Sequence, residues 1–583
     1  MTTYTLPKAH TPAPVPPKTA VVIASGDSRL SANSLCWPTQ QRVEAEARDA
    51  LAACGFSAVR GSPERWSDAE PHGFVFSQSH GREVFANIHP DAPLVVVESV
   101  WQYSMHVLPG LVRHRGPVLI LANWSGQWPG LVGALNLRGS LTKAGRPHAL
   151  FWGTDFADPA FRAKLKEWCD TGTITHDLSH TAPLNADSLP APERDLGRAL
   201  AAELTQRPAI LGVFDEGCMG MFNAIIPDHL LHPTGAFKER LSQATLYAHM
   251  QRVPEPEARA VYDWLLSRGM TFDIGPDADQ LTEPQIIEQC KMYIAALRLA
   301  DAHGCDAIGI QYQLGLTELT VASDLVEGLL NCSDRPPVRA TSGPRAGQII
   351  LEGRPLPHFN EVDECAGLDA LITDRVWRAM HLAPDNTLHD IRWSDTDQSN
   401  TINPADHPYW KDDQIFVFEI SGAVPPSHFA NSYADATGYR QPAMYFAPGG
   451  SGIRGMSKPG EVVWSRIYVD STDTSRSPDR CHWEQPSAPG EIPPGALHMD
   501  IGRATAVALP DAEMQRRWNA TTKQWPIMNA ILHNVTRDQL MAKHQSNHIQ
   551  VVYAPDAVTA DKALAAKAAM AEAMGIQVHR CGI

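Results

Sequence analysis

Short apolar runs alternate with helix-compatible stretches in the N-terminal half of this chain, and this alternation constrains the fold more than any other feature. Proline and glycine bound such runs when they form buried strands. The runs are AVVIASG at 20–26, LVVVESVW at 94–101, PVLILANW at 117–124 and AILGVFD at 209–215. Strands that alternate with helices form parallel sheets covered by helices on both faces. The sequence therefore predicts an α/β fold with doubly wound parallel sheets.

A second segment repeats this pattern before the texture of the chain changes. A long helical stretch at 286–304 precedes a strand-like run at 307–313, and Gly304 stands where a C-cap glycine would end the helix. Beyond Leu382 the chain carries strand-like runs such as IFVFEIS at 415–421, with many Pro, Gly and Trp residues between them. This change predicts a β-rich α+β domain at the C-terminus.

The length of the chain predicts more than one domain. A chain of 583 residues exceeds what one hydrophobic core usually organises. We place the first boundary after a polar, proline-containing stretch near 180–207. The predicted division is an N-terminal arm at 1–18, an α/β domain at 19–207, a second α/β domain at 208–382 that carries Glu361, and a β-rich domain at 383–583 that carries Asp390 and His548.

Charge and cysteine content restrict the class of partner and the cellular location. The 49 Lys and Arg residues are outnumbered by 65 Asp and Glu residues, so no basic face for nucleic acid or an anionic membrane is expected. The ten cysteines form no CxxC pair, which favours a reduced compartment. The N-terminal arm lacks the apolar core of a secretion signal, and no apolar run approaches the roughly 18 residues of a membrane span. We therefore expect a soluble, cytoplasmic protein.

A glycine motif in the C-terminal half imitates a nucleotide-binding fingerprint. Gly450, Gly452 and Gly455 spell GxGxxG within FAPGGSGIRGMSKPG. A dinucleotide fingerprint needs a strand before the motif and a helix after it. Here a second turn and then a strand-like run follow. The motif therefore predicts a glycine-rich loop beside a site rather than cofactor binding.

Two histidines have the spacing of a helical zinc pair. His544 and His548 in KHQSNHIQVV are four residues apart, which lets two imidazoles on one helix share a metal ion. Gln, Ser and Asn separate them, and a β-branched run follows at once. A loop that enters a strand is the better interpretation, and at most one of the two histidines would then face a given metal.

A cluster of acidic residues precedes a predicted helix in HFNEVDECAGLDAL. Carboxylates in the first turn of a helix often cap it or complement its dipole, which explains Glu364 and Asp363. Glu361 stands earlier, where a strand end would meet the helix, and open α/β sheets bind ligands at such strand ends. Asp390 in LHDIRW is likewise bracketed by residues typical of a short strand.

Several segments, in one order along nearly the whole chain, resemble L-fucose isomerase, a hexameric enzyme that interconverts an aldose and its ketose. That family draws its metal ligands from T-E-N-D, A-D-V-R and A-N-H-G segments, which resemble NEVD, HDIR and SNHI here. The resemblance therefore implies Glu361, Asp390 and His548 as metal ligands. Two carboxylates and one imidazole suit Mn²⁺ or Mg²⁺ better than a closed structural zinc site.

The resemblance also implies a set of substrate-binding residues. The two tryptophans would supply apolar faces for a sugar, and the polar members would bind hydroxyl groups. The matching positions are Trp124 in LANWSGQWPG, Met219 in GVFDEGCMGM, Gln311 in GIQYQ with Gln313 behind it, Ser421 in EISG, Tyr445 in MYFAPGG, Trp525 in QWP, and Asn547 before the ligand histidine.

The activity that the resemblance implies is aldose–ketose isomerisation through an enediol or enediolate, with Glu361 and Asp390 as acid and base. A homo-oligomer, hexamer or trimer, is implied as well. Two departures separate this chain from the fucose enzymes: LGLTEL replaces an Arg-His-Trp stretch after GIQYQ, and an insertion-like segment occupies 345–358. The substrate is therefore left open as a sugar, a sugar derivative or a sugar acid. A metal-dependent epimerase or dehydratase of a polyol acid and a non-catalytic sugar-binding protein are the alternatives.

Overall fold

A computed structural model describes residues 10–124, 128–217, 220–472 and 495–583. Contacts within the chain divide these residues into two compact units. The described residues up to Thr175 form the first unit, and those from His176 onward form the second. Met219 lies outside the described residues, so its predicted role stays a prediction. Within the described ranges, no helix is long and apolar enough to cross a membrane.

The first unit is built on one parallel sheet. Its strands are β1 (Thr19–Ile23), β2 (Ser57–Arg60), β3 (Leu94–Glu98), β4 (Val118–Asn123) and β5 (Ala149–Gly153). Its helices are α1 (Leu30–Ala53), α2 (Gln78–Ala86), α3 (Leu108–Arg113), α4 (Gly130–Lys143) and α5 (Pro159–Thr171). The strand order is β2-β1-β3-β4-β5, and every neighbouring pair is parallel. This is a doubly wound order, as the sequence predicts.

The second unit contains many more elements. Its helices are α6 (Ala191–Gln206), α7 (Asp228–Leu231), α8 (Gln243–Met250), α9 (Glu255–Ser267), α10 (Glu283–His303), α11 (Asp324–Leu330), α12 (Glu364–Ala379), α13 (Asp511–Asn519), α14 (Arg537–Lys543) and α15 (Ala557–Ala573). Its strands are β6 (Thr181–Pro183), β7 (Ala209–Phe214), β8 (Ala236–Leu241), β9 (Thr271–Phe272), β10 (Ala307–Ile310), β11 (Asn386–Thr396), β12 (Gln414–Glu419), β13 (Thr437–Arg440), β14 (Ser451–Arg454), β15 (Gly460–Asp470), β16 (Ala496–Ala506), β17 (Ile527–Leu532), β18 (His548–Ala554) and β19 (Gln577–Cys581).

A three-stranded parallel sheet in the order β10-β7-β8 begins this second unit. The apolar run of β10 is fully buried, because helices cover the sheet. The preceding helix α10 ends at Gly304, whose φ of 66° is the left-handed conformation of a C-cap glycine. This end of the helix confirms the prediction made from the sequence.

Six antiparallel strands of the second unit close into a barrel. Neighbours follow the circuit β15-β18-β11-β12-β17-β16, and β16 pairs back onto β15. The pairing of β15 with β16 runs over their full length, from Gly460 opposite Ala506 to Asp470 opposite Ala496. A closed barrel leaves no exposed edge strand within its circuit. The prediction of an α/β chain with a β-rich C-terminal part is confirmed in general kind.

The division of the chain differs from the three domains predicted. The stretch near 180–207 does not separate units, because β6 pairs with β19 and α6 packs on α15. This helix contact is close: a Cβ atom added to Gly197 would lie 2.5 Å from the carbonyl oxygen of Ala566. The parallel sheet of β7, β8 and β10 and the barrel also belong to one compact unit rather than two.

Neither misleading motif forms the site it imitates, although the glycine motif is not the loop that the sequence predicts, because Ser451–Arg454 within it form the strand β14. Gly450 precedes β14 with a φ of 100°, and the strand β15 rather than a helix follows the motif. His544 ends α14 as its C-cap and His548 begins β18, so the two histidines do not share a helix. His544 Nε2 instead contacts the carbonyl oxygen of His548 at 2.9 Å.

Candidate metal centre

The register of the barrel brings Asp390 and His548 together. Strands β11 and β18 are antiparallel, and Asp390 stands directly opposite His548 in their ladder. Side chains of directly opposed residues lie on the same face of a sheet. The distance from His548 Nε2 to Asp390 Oδ1 is 3.6 Å. Two predicted ligands that are far apart in the sequence thus become neighbours through strand pairing.

Glu361 reaches the same place from the parallel sheet. The backbone N–H of Phe359 donates to the carbonyl of Ile308 in β10, which fixes the start of a short 3-10 turn at 360–362. From this turn Glu361 Oε2 lies 3.9 Å from His548 Nε2. The three predicted ligands therefore converge, although they come from a turn and two strands.

The backbone at Glu361 is strained. Glu361 has a φ of 59° and Val362 a φ of 58°, and neither residue is glycine. Left-handed conformations cost on the order of 1–3 kcal/mol per non-glycine residue and persist only where the surroundings impose them. Here the residue before the turn bonds to β10 and Asp363 caps the helix that follows, so both ends of the turn are fixed. Strain of this kind is concentrated at functional sites.

A buried ion pair sets the orientation of the His548 ring. His548 Nδ1 lies 2.6 Å from Asp363 Oδ2, and the same oxygen accepts a hydrogen bond from Arg466 Nη1 at 2.6 Å. Burial alone would raise the pKa of the Asp363 carboxyl, but the Arg466 charge and the His548 hydrogen bond outweigh it and lower that pKa to about 2. The ionised Asp363 accepts the Nδ1 proton, so Nε2 is the nitrogen that faces Glu361 and Asp390.

The centre holds more negative charge than its own side chains neutralise. Burial is the main cause that raises the pKa of Glu361 to about 8; His548 opposes this effect and the nearby Asp390 charge adds to it. Burial lowers the pKa of His548, but the hydrogen bond and charge of Asp363 outweigh it, followed by the charges of Asp390 and Glu361, so the pKa is raised. Both shifts mean that the centre attracts positive charge, here as bound protons.

Asp390 has polar partners of its own. Its Oδ1 accepts a hydrogen bond from Asn547 Nδ2 at 3.0 Å, and its Oδ2 lies 3.4 Å from Arg392 Nη1. Arg392 also pairs with Glu419 through Nε at 2.9 Å. Among the described residues, the carbonyl oxygen of the buried Asn547 side chain has no hydrogen-bond partner. Asn547, predicted to bind substrate, is thus in contact with a predicted metal ligand.

The three side chains have the donor atoms that a divalent cation prefers, but those atoms lie farther apart than the ligands of one bound ion. Two adjacent donors on an octahedral ion lie about 3 Å apart, whereas the imidazole here stands 3.6 and 3.9 Å from the two carboxylates. In the described parts of the chain, no group of three or more His, Cys, Asp or Glu residues could hold a metal ion as the side chains stand. A buried set of two carboxylates and one oriented imidazole suits Mn²⁺ or Mg²⁺ chemically. To bind such an ion together with His548, the two carboxylates would have to move closer to the imidazole.

Two glutamines support Glu361 in different ways. Gln311 is fully buried, and its Nε2 donates to the backbone carbonyls of Gly217 at 2.8 Å and Glu361 at 3.3 Å. Gln313 Nε2 donates to the Glu361 carboxylate at 2.8 Å. The side-chain oxygen of Gln313 has no hydrogen-bond partner among the described residues. Of the two, Gln313 is the one in contact with the functional group of Glu361.

Ser421 belongs to a buried polar network beside this turn. Its hydroxyl lies 3.0 Å from the Tyr312 hydroxyl and 3.2 Å from Asn360 Nδ2. Tyr312 in turn donates to Asp324 Oδ1 at 2.9 Å. Ser421 thus neighbours the turn that carries Glu361. The sequence analysis did not identify Tyr312 or Asp324 as members of this network.

Two aromatic residues form a wall near Asp390. The rings of Tyr445 and Trp525 are stacked with centroids 6.4 Å apart and an interplanar angle of 24°. The guanidinium of Arg392, which also contacts Asp390, lies 5.2 Å from the centre of the Trp525 ring. Trp525 Nε1 donates to Gln441 Oε1 at 2.6 Å, which fixes the ring. The remaining predicted contact, Trp124, belongs to the first unit and is half-buried there.

Asp363 is the main residue whose role the sequence did not reveal. It caps α12 as predicted, because its Oδ1 accepts from the N–H of Ala366 at 3.0 Å. Its other oxygen holds His548 and Arg466. A metal-binding histidine generally donates its second ring nitrogen to a carboxylate or carbonyl, so a partner for His548 could be expected, but sequence spacing does not say which carboxylate.

Taken together, these contacts define a buried polar centre in which two carboxylates and one oriented imidazole meet where a parallel sheet adjoins an antiparallel barrel. No protein-family model matches this chain, and no curated protein matches it either.

Proposed function

We propose that this protein is a metal-dependent aldose–ketose isomerase that acts on a sugar or a sugar derivative, and that it is a divergent relative of L-fucose isomerase. The observation that carries the proposal is the convergence of Glu361, Asp390 and His548, with His548 Nε2 within 3.6 Å of Asp390 and 3.9 Å of Glu361. The three residues were selected from the sequence, chiefly by the resemblance, and chance selection from a chain of 583 residues would rarely give three that meet.

The cation, Mn²⁺ or Mg²⁺ held by Glu361, Asp390 and His548, would supply Lewis-acid polarisation of the substrate carbonyl. The two carboxylates perform the proton transfers. One of them removes the proton from C2 of the aldose while O1 gains a proton, which gives an enediol. The O2 proton then leaves and C1 gains a proton, so that the ketose forms without net gain or loss of atoms. A general base or acid works best with a pKa near the operating pH, and Glu361 with a pKa of about 8 meets this condition.

The neighbouring side chains suit a polyhydroxylated substrate. The Tyr445 and Trp525 rings offer an apolar wall to C–H faces of a sugar. The amide oxygens of Asn547 and Gln313 are hydrogen-bond acceptors without partners among the described residues, so both are available to sugar hydroxyls. The acid–base pair favours catalysis over the alternative of a non-catalytic sugar-binding protein.

The proposal is tested by isotope exchange. The Mn²⁺-loaded protein is incubated with a panel of aldoses, aldose derivatives and polyol acids in D₂O, and the products are examined by NMR. Deuterium at C1 of a ketose product, or at C2 of recovered aldose, is the expected result. Deuterium at C2 with an inverted sugar and no ketose would instead identify an epimerase, and loss of water from a polyol acid would identify a dehydratase. No exchange with any member of the panel would contradict proton-transfer chemistry altogether.

We expect Mn²⁺ binding to release protons and to strengthen as pH rises. Glu361 holds its proton up to a pH of about 8 in the metal-free protein, so a cation must displace that proton. Below pH 8 the affinity should fall by about tenfold per pH unit for each proton displaced. Calorimetric titrations at pH 6 to 8, in buffers with different ionisation enthalpies, measure the release directly. An affinity independent of pH over this range would contradict Glu361 as a ligand.

A further inference from the structure

The first unit contains a groove that has no part in the proposed isomerase centre. It lies between α2 and α3, which pack side by side, and has a volume of about 600 Å³. Binding sites for small molecules typically enclose about 300–1,000 Å³. The groove therefore has the size of a metabolite site, and all of its lining residues are described.

Glycines make this groove part of the packed fold. A Cβ atom added to Gly81 of α2 would collide with the carbonyl oxygen of His106, and one added to Gly110 of α3 would collide with the Phe85 ring. The helices therefore meet in close contact at the bottom of the groove. Apolar side chains, Phe85, Ile88 and Pro109 among them, line its walls.

The charged side chains of the groove are all basic. Arg82 from α2 and Arg113 from α3 line it, and no aspartate or glutamate does. Neither arginine makes an ion pair with any residue in the described parts of the chain. This contrasts with Arg115, which binds Asp91 through two nitrogens at 2.7 and 2.8 Å. Both arginines are exposed, so their guanidinium groups can reach an anion in the groove although the formal net charge of the chain is −16.

A buried histidine adds a polar group to the same wall. His106 is 8% exposed and lines the groove, and its Nδ1 has no hydrogen-bond partner among the described residues. Its ring is held by stacking on Tyr103, with centroids 5.2 Å apart and an angle of 9°. Buried polar atoms in folded proteins nearly always have partners. This nitrogen is shielded from solvent within the wall, so a ligand in the groove would meet the His106 ring rather than the unpartnered atom.

We propose that this groove binds a small organic anion, in which a phosphate or carboxylate group pairs with Arg82 and Arg113 and an apolar or aromatic body packs against Phe85, Ile88 and Pro109. Guanidinium groups bind such anions through paired hydrogen bonds. The apolar wall accounts for the second half of the ligand, because a bare inorganic anion would leave it in contact with water.

The test uses probes that separate the two parts of the ligand. 1-Naphthyl phosphate carries both parts, 1-naphthoate replaces phosphate by carboxylate, inorganic phosphate lacks the body and 1-naphthol lacks the charge. Calorimetric titration of the full-length protein should show that 1-naphthyl phosphate or 1-naphthoate binds at least tenfold more tightly than inorganic phosphate and 1-naphthol. Whichever of the two anions binds better identifies the preferred anionic group.

Two variants locate the binding. The double variant Arg82→Gln/Arg113→Gln should weaken binding of the preferred probe by at least tenfold, whereas Arg42→Gln/Arg65→Gln, which removes the same charge from exposed positions outside the groove, should leave it unchanged. Ala86→Trp fills the groove without changing charge and should also abolish binding. Equal binding by the Arg82→Gln/Arg113→Gln variant and its control would overturn the proposal. The proposal would also be overturned if either groove variant changed the oligomeric state of the protein but still bound the probe. The groove would then be a contact between copies of this chain.

Discussion

Replacement of Glu361 by glutamine is expected to reduce the isomerisation rate by about 10²–10⁴-fold, the range in which a general acid or base contributes to catalysis. Glutamine keeps the size of the side chain and can still accept the hydrogen bond that Gln313 donates at 2.8 Å. It cannot gain or lose the proton that moves between C1 and C2. The fold should be preserved, because Glu361 holds its proton up to a pH of about 8, so at pH 7 a neutral amide replaces a neutral carboxyl group.

The measurement is steady-state turnover of whichever aldose responds in the isotope experiment, together with deuterium exchange at C2. Glu352→Gln is the matched control, since Glu352 is exposed and lies before the turn that carries Glu361. The control should retain full activity. A Glu361→Gln enzyme that keeps normal turnover would remove Glu361 from the reaction. If each of the single variants Glu361→Gln, Asp390→Asn and His548→Ala kept the Mn²⁺ affinity of the parent protein, the proposed metal centre would be wrong as well.

The sequence predicted the general architecture because local patterns determine it. Continuous apolar runs such as those of β3 and β4 identify parallel strands buried on both faces. A glycine after a helical stretch predicts a helix end, and Gly304 has the left-handed conformation that such an end requires. Domain division depended on long-range packing instead. The 180–207 stretch is polar and rich in proline, yet its helix α6 packs on α15, which comes more than three hundred and fifty residues later in the chain.

The candidate site shows the same distinction between local and long-range information. Resemblance selected Glu361, Asp390 and His548, but only the register of β11 and β18 explains why two of them meet. Asp363 was interpreted as a helix cap, and that interpretation is confirmed. A carboxylate has two oxygens, however, and a pattern that accounts for one does not reveal what the other contacts. The Arg466 partner comes from β15, about one hundred residues away, and no local pattern points to it.

Asp363→Asn is expected to destabilise the protein by about 3–5 kcal/mol, because it leaves the Arg466 guanidinium buried without a counter-charge. Arg466 is 1% exposed, so water cannot replace the lost carboxylate. The Asp363 charge should also support stability against acid. Its pKa of about 2 in the folded protein lies below the ordinary value of 3.8, so the pair stabilises the fold above pH 4 and this contribution is lost as pH falls from about 4 to 2. Urea unfolding of the variant and the parent at pH 7 and at pH 3 measures both effects, and the difference between the two proteins should shrink at the lower pH.

The same substitution separates the structural role of Asp363 from its role in orienting His548. In Asp363→Asn/Arg466→Met the unpaired charge is gone, so most of the lost stability should return. His548 then lacks the anionic acceptor, Asp363 Oδ2, that lies 2.6 Å from its Nδ1 and orients its ring. Loss of such a partner typically weakens metal binding by about 10–100-fold. Glu513→Gln provides the control, since it breaks the buried pair with Arg517 on α13 and should cost stability without changing Mn²⁺ affinity. If the double variant recovered stability and Mn²⁺ affinity together, Asp363 would be a purely structural residue and His548 would need no positioning partner.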